Sequence, residues 1–143
     1  MPTNTDRAVS PIELLSAATN PRTTGKELNK IVTRVKSLWF NALWFNCEKE
    51  KILVAVLRHK NTKKQTVFRI VKEFENYLVR REAISTPHFD DNMFQIIRQY
   101  NDSHAIDMAI GTNKLSALSL ISLGTHENSW IRKHALAKLS RLT

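Results

Sequence analysis

The sequence predicts an all-α fold, a short α-solenoid of about four helical repeats, one of them enlarged by a 13-residue insertion. Three observations point there. Only 3 glycines and 4 prolines punctuate 143 residues, too few for the frequent turns of an all-β chain. Apolar residues recur at helical spacing over long stretches. The second half repeats itself every 26 residues, and such a period marks stacked units.

Residues 1–9 are polar, with Asp6 and Arg7, and read as a flexible N-terminus ahead of a single helical repeat domain over 10–143. Leu14-Leu15 and Ala17-Ala18 predict a short first helix. Thr23-Thr24 then precede a longer one, with Glu27 three residues after Thr24 in capping-box position. Leu28, Ile31, Val32, Val35, Leu38, Trp39 and Ala42 form its apolar stripe. After the inserted stretch around Leu38 to Lys49, the run Ile52 to Leu57 begins the next unit. Thr62 leads into a stripe of Val67, Ile70, Val71, Phe74 and Leu78. Asp90 or Asp91 starts the third long helix. Each unit thus reads as a short helix, a turn and a longer helix. One such unit cannot bury its own apolar face, so neighbours must stack.

The register is explicit in the second half. Ala83, Ala109 and Ala135 align, each followed by a large aliphatic, Ile84, Ile110 and Leu136. Val79, Ala105 and Ile131 stand four residues earlier. Phe89 matches Leu115, Phe94 matches Leu120, Ile97 matches Leu123, and Asp102-Ser103 answers Asn128-Ser129. A step of 26 carries Val67, Ile70 and Val71 onto Met93, Ile96 and Ile97. A step of 39 carries Leu28, Ile31 and Val32 onto the first three, Leu14-Leu15 onto Leu53-Val54, and Thr23 onto Thr62. The difference of 13 is the insertion.

Ala17-Ala18-Thr19-Asn20-Pro21-Arg22-Thr23-Thr24, followed by Leu28, resembles the variant leucine-rich repeat. That family's units run Val-Arg-x-x-Ala, then Asn-Pro-x-Thr-Pro, then spaced leucines. Val79-Arg80-Arg81-Glu82-Ala83 and Trp130-Ile131-Arg132-Lys133-His134-Ala135 look like the other half of that unit. The resemblance covers roughly residues 10–143 and implies a right-handed superhelix, akin to HEAT-like repeats, with no catalytic residues to carry over. Ala105-Ile106 departs from the valine–arginine pattern, and His59-Lys60-Asn61-Thr62 lacks the proline. HEAT-like and DNA-alkylation-type repeats therefore stay open as the exact family.

The net charge of +9 is segmental. Residues 22–81 carry 15 Lys and Arg against 5 Asp and Glu, residues 82–128 carry 2 against 6, and 129–143 hold 4 basic residues and no acid. Such a field attracts polyanions or acidic protein surfaces. No apolar run is long enough to span a membrane, no apolar signal core opens the chain, and one cysteine, Cys47, excludes an internal disulfide. Those features predict a cytoplasmic protein.

Two features are candidate binding surfaces. Lys26, Lys30 and Arg34 lie on one side of the long helix at i, i+4 and i+8, and Arg58, Lys60, Lys63 and Lys64 surround an inter-helix turn. Stacked turns would bring Arg22 and Lys26 beside that turn. Phe40 and Trp44 fall off the core stripe in Leu38-Trp39-Phe40-Asn41 and Leu43-Trp44-Phe45-Asn46, as buried packing or as an aromatic contact patch. His88, Asp90 and Asp91 read as helix capping rather than metal ligands, Cys47 as a structural thiol and His134 as a surface residue. No phosphate loop, nucleophile elbow or metal motif appears, so neither cofactor nor catalysis is expected. The expectation is a binding module for another protein, through an acidic surface or peptide. Nucleic-acid binding by the basic half is the alternative, and Leu139 and Leu142 hint at self-association through an open C-terminal end.

Overall fold

The computed structural model describes residues 10–38 and 46–142, so the expected flexible segment 1–9 lies outside it. Every regular element among the described residues is helical. In order they are α1 (Pro11–Thr19), α2 (Gly25–Ser37), α3 (Asn46–Arg58), α4 (Lys64–Glu73), α5 (Tyr77–Ile84), α6 (Asp91–Ile97), α7 (Ser103–Gly111), α8 (Ala117–Leu123) and α9 (Ser129–Arg141). None is long and apolar enough to cross a membrane. The chain divides into two compact units, Met1–Glu82 and Ala83–Thr143.

Local chemistry sets the helix starts. Ser10, Thr24, Asp90, Asp102, Ser116 and Asn128 each turn a side-chain oxygen onto backbone N–H groups that the first turn leaves without partners. Thr24 and Glu27 pair as expected, the Glu27 N–H donating to Thr24 Oγ1 and that hydroxyl donating to Glu27 Oε1. Asp90 rather than Asp91 caps α6. The equivalence of Asp102 and Asn128 is kept, since both cap the following helix.

Two expectations need correction. The stripe from Val67 to Leu78 is not one helix: α4 ends at Glu73, Phe74 takes an extended backbone, and Asn76 restarts the chain by accepting the Val79 N–H. Leu78 belongs to α5. The short-then-long alternation holds only for the first pair, with 9 and 13 residues; the next pair has 13 and 10. In the second unit α6 tightens into a 3-10 turn over Arg98–Tyr100, stopped by Asn101 in the left-handed region at φ 53°.

The first unit packs α1 on α3 and α2 on α4, with α2 also against α1 and α3. Its core is the predicted stripe: Leu14, Leu28, Ile31, Val32, Leu53, Val67, Ile70 and Val71 are all buried. Each such side chain contributes about 1.5–3 kcal/mol, against roughly 1 kcal/mol for a hydrogen bond. Apolar burial therefore supplies the stability, and polar pairs decide which residues meet. Some of those pairs are local, and others join residues 36 to 40 apart. Thr23 and Thr62, 39 residues apart, hydrogen-bond to the carbonyls of Ala17 and Val56, each six residues back. The turns themselves are joined: His59 Nε2 lies 2.7 Å from the Asn20 carbonyl, and Asn61 Nδ2 donates to the carbonyls of Pro21 and Thr23. Deeper in the unit, Arg69 Nη1 donates to Asn29 and to Thr33 Oγ1.

The second unit packs α9 against α7 and α8, with α6 against α7. Asp91 accepts from Ser116 and Ser119, Gln95 donates to Ser119, and Arg98 donates to Ser122. These separations, 24 to 28 residues, match the sequence period of 26. Ala83, Ala109 and Ala135 are fully buried, as are Val79, Ala105 and Ile131. The register fails at two positions: Leu136 is half exposed while Ile84 and Ile110 are buried, and Ile96 is half-buried while Ile31 and Ile70 are fully buried.

Two glycines separate close approach from open space. A Cβ at Gly25 would stand 2.7 Å from the Asn61 carbonyl oxygen and 3.0 Å from Lys63 Cε, whereas one at Gly111 meets nothing within 4 Å. Gly25→Ala should destabilise the protein by about 1–3 kcal/mol through overpacking against backbone. Gly111→Ala should be neutral or stabilise by up to about 1 kcal/mol. Urea unfolding of the two variants checks the opposite signs.

Candidate functional site

The predicted basic surface is brought together only in part. Lys26, Lys60, Lys63 and Lys64 are exposed around the two joined turns, as is Arg22. Lys63 lays its stem over Gly25, which places it beside the start of α2. Arg58 closes α3 but turns to Glu82, donating through Nε at 2.6 Å and Nη2 at 3.2 Å. Farther along α2, Lys30 and Arg34 are half-buried rather than on an open face, and Arg34 Nε is buried without a hydrogen-bond partner. The expected i, i+4, i+8 stripe thus fades into the packing after its first member. Phe40 and Trp44 lie outside the described residues.

Several acids of the first unit are held by partners within it. Glu73 takes both Lys36 and Arg69. Burial pushes its carboxyl up, but the hydrogen bonds and charges of those two cations outweigh that and hold it below the usual carboxylate range. Glu50 accepts from Asn76, and Glu27 from Thr24. No ion pair involves Arg22, Lys26, Lys60 or Lys63 among the described residues.

A groove that the sequence reading did not identify lies next to these turns. It encloses about 570 Å³ in the first unit. From α1 come Leu15, Ala18 and Thr19, and from α3 Glu50, Lys51, Val54, Ala55 and Arg58. His59 and Leu78 complete the wall. The floor is aliphatic and the charges stand at the ends. Leu15 and Val54 are half-buried, each next to a fully buried leucine, Leu14 and Leu53. The visible signal was therefore the doubled aliphatic: a helix covering one neighbour has use for the first of each pair, and the second marks another face. Ile12, one turn before Leu15, is 80% exposed, and Leu78 in the groove wall is 42% exposed.

Asp91 and His134 are both held by hydrogen bonds within the second unit. Asp91 sits in its serine network; burial raises its carboxyl, and the hydrogen bonds from Ser119, Ser116 and Gln95 more than reverse this, leaving it below its ordinary value. No group of three or more His, Cys, Asp or Glu able to hold a metal occurs among the described residues. His134 is not a free surface residue: its Nδ1 lies 2.7 Å from Asp107 Oδ1, which also accepts from Trp130 Nε1. Comparison with known proteins yields no match, whether to a family model, a curated protein or a solved structure.

Two depressed carboxyls give the fold an acid limb. Their stabilisation is present above the usual carboxylate pKa of about 4 and is lost as pH falls through the lower folded values. Glu73→Gln and Asp91→Asn should each lower the urea midpoint at neutral pH. Each should also flatten the loss of stability that the wild type shows on acidification below about pH 4. Unfolding curves across that range check both effects.

Proposed function

We propose that the protein is a non-enzymatic helical-repeat binding module, a stack of about four repeats of variant leucine-rich or HEAT-like type, that holds a segment of a partner polypeptide. The observation that carries this reading is the groove between α1 and α3. Its volume of about 570 Å³ lies within the range of ligand sites, but it is open-sided, with Leu78 of its wall and Ile12, one turn before Leu15, left exposed. A small molecule would leave that strip wet; an extended or helical segment covers it. Aliphatic side chains at i, i+3 or i+4, and i+7 of a docking helix suit a floor made by Leu15, Ala18, Val54 and Ala55. We place the module's contact region on the described face of α1 and α3.

Selection from a displayed library of amphipathic peptides tests this. Sequences enriched on the wild type should carry spaced aliphatic anchors. Val54→Glu, which places a charge on the half-buried floor, should weaken their binding at least ~10-fold while leaving the melting temperature within a few degrees. Enriched peptides that bind Val54→Glu as well as wild type would sink the groove as the site.

A further inference from the structure

We infer that the segment held in the groove is acidic at one end, and that this end lies across the two joined turns on Arg22, Lys26, Lys60 and Lys63. The inference rests on the groove reading above and adds the chemistry of the partner. Thr19, Arg58 and His59 form one end of the groove, and the turns begin at the next residues. The His59 and Asn61 bonds to Asn20, Pro21 and Thr23 hold both turns on one edge. Lys63 lies over Gly25, next to Lys26, so cations from both turns gather there.

Among the described residues no ion pair neutralises that edge. Residues 14–26 and 51–72 contain no Asp or Glu. Glu27, the nearest acid in sequence, accepts from Thr24 and forms no ion pair with these cations. Three other cations of the unit are matched: Lys36 and Arg69 by Glu73, and Arg58 by Glu82. Four exposed, unmatched cations repel one another until an anion arrives, and their field draws one in. The continuity of edge and groove decides its type. A phosphate backbone would use the cations and leave the aliphatic floor empty, whereas an aliphatic peptide with an acidic flank satisfies both.

The test uses helical peptides with one leucine stripe and three flanks: glutamate at the N-terminal end, glutamate at the C-terminal end, or glutamine at both. Fluorescence anisotropy on the full chain should show one glutamate peptide binding about tenfold tighter than the glutamine peptide, as expected for several exposed ion pairs. Raised salt should erase that difference. The double variant Lys26→Glu/Lys60→Glu, at two exposed positions, should abolish the preference and leave glutamine-flanked binding unchanged. Equal binding of all three peptides, with Val54→Glu weakening each, would overturn the acidic flank and leave the groove standing. Failure of all three to bind would overturn both. Binding of an RNA duplex that is lost in the double variant but kept in Val54→Glu would reassign the edge to nucleic acid and contradict the proposal.

Discussion

The bond network between the α1–α2 turn and the α3–α4 turn is the constraint on which the first unit depends. The Asn61 N–H donates to His59 Nδ1, so the proton of a neutral imidazole must sit on Nε2, which then donates to the Asn20 carbonyl. The Asn61 side chain donates to the carbonyls of Pro21 and Thr23. Three carbonyls of one turn are thus read by two residues of the next. Core side chains alone would tolerate small slips, because aliphatic contacts are not directional. These bonds do not. Gly25 exists for the same reason, since the Asn61 carbonyl stands where a side chain would begin.

From that register follow both surface features. Holding α1 beside α3 leaves Leu15 and Val54 side by side on a face that no described helix covers, and that face is the groove floor. Holding the turns together collects cations that are distant in sequence and leaves their charge uncompensated. The second unit solves the same problem differently, with carboxylates in place of an asparagine: Asp91 binds the start of α8, and Asp107 binds Trp130 and His134 on α9.

The helical fold was legible in the sequence because it depends on short-range periodicity and on caps, both local. Leu28, Ile31 and Val32 repeat at Val67, Ile70 and Val71, and their burial repeats with them. The break at Phe74 was not legible, because Asn76 acts as a cap only in the presence of the chain it restarts, and its amide is held by Glu50 from α3. The basic surface was half legible. Clustering showed that cations would gather near the turns, but pairing is long-range: the tie from Arg58 to Glu82 spans 24 residues. The groove was hidden in a pattern that reads as ordinary core, the doubled aliphatics Leu14-Leu15 and Leu53-Val54.

Hydrogen exchange of the backbone amides in Asn61→Ala, compared with wild type, tests the register claim most directly. If Asn61 holds the first turn onto the second, amides of α1 from Leu14 to Ala18 should exchange about tenfold or more faster, for the loss of a bonding side chain worth roughly 1–3 kcal/mol. Those of α4 should keep their wild-type rates. Unchanged protection in α1, or an equal loss in α1 and α4, would show that the apolar core alone sets the stack and would contradict the account.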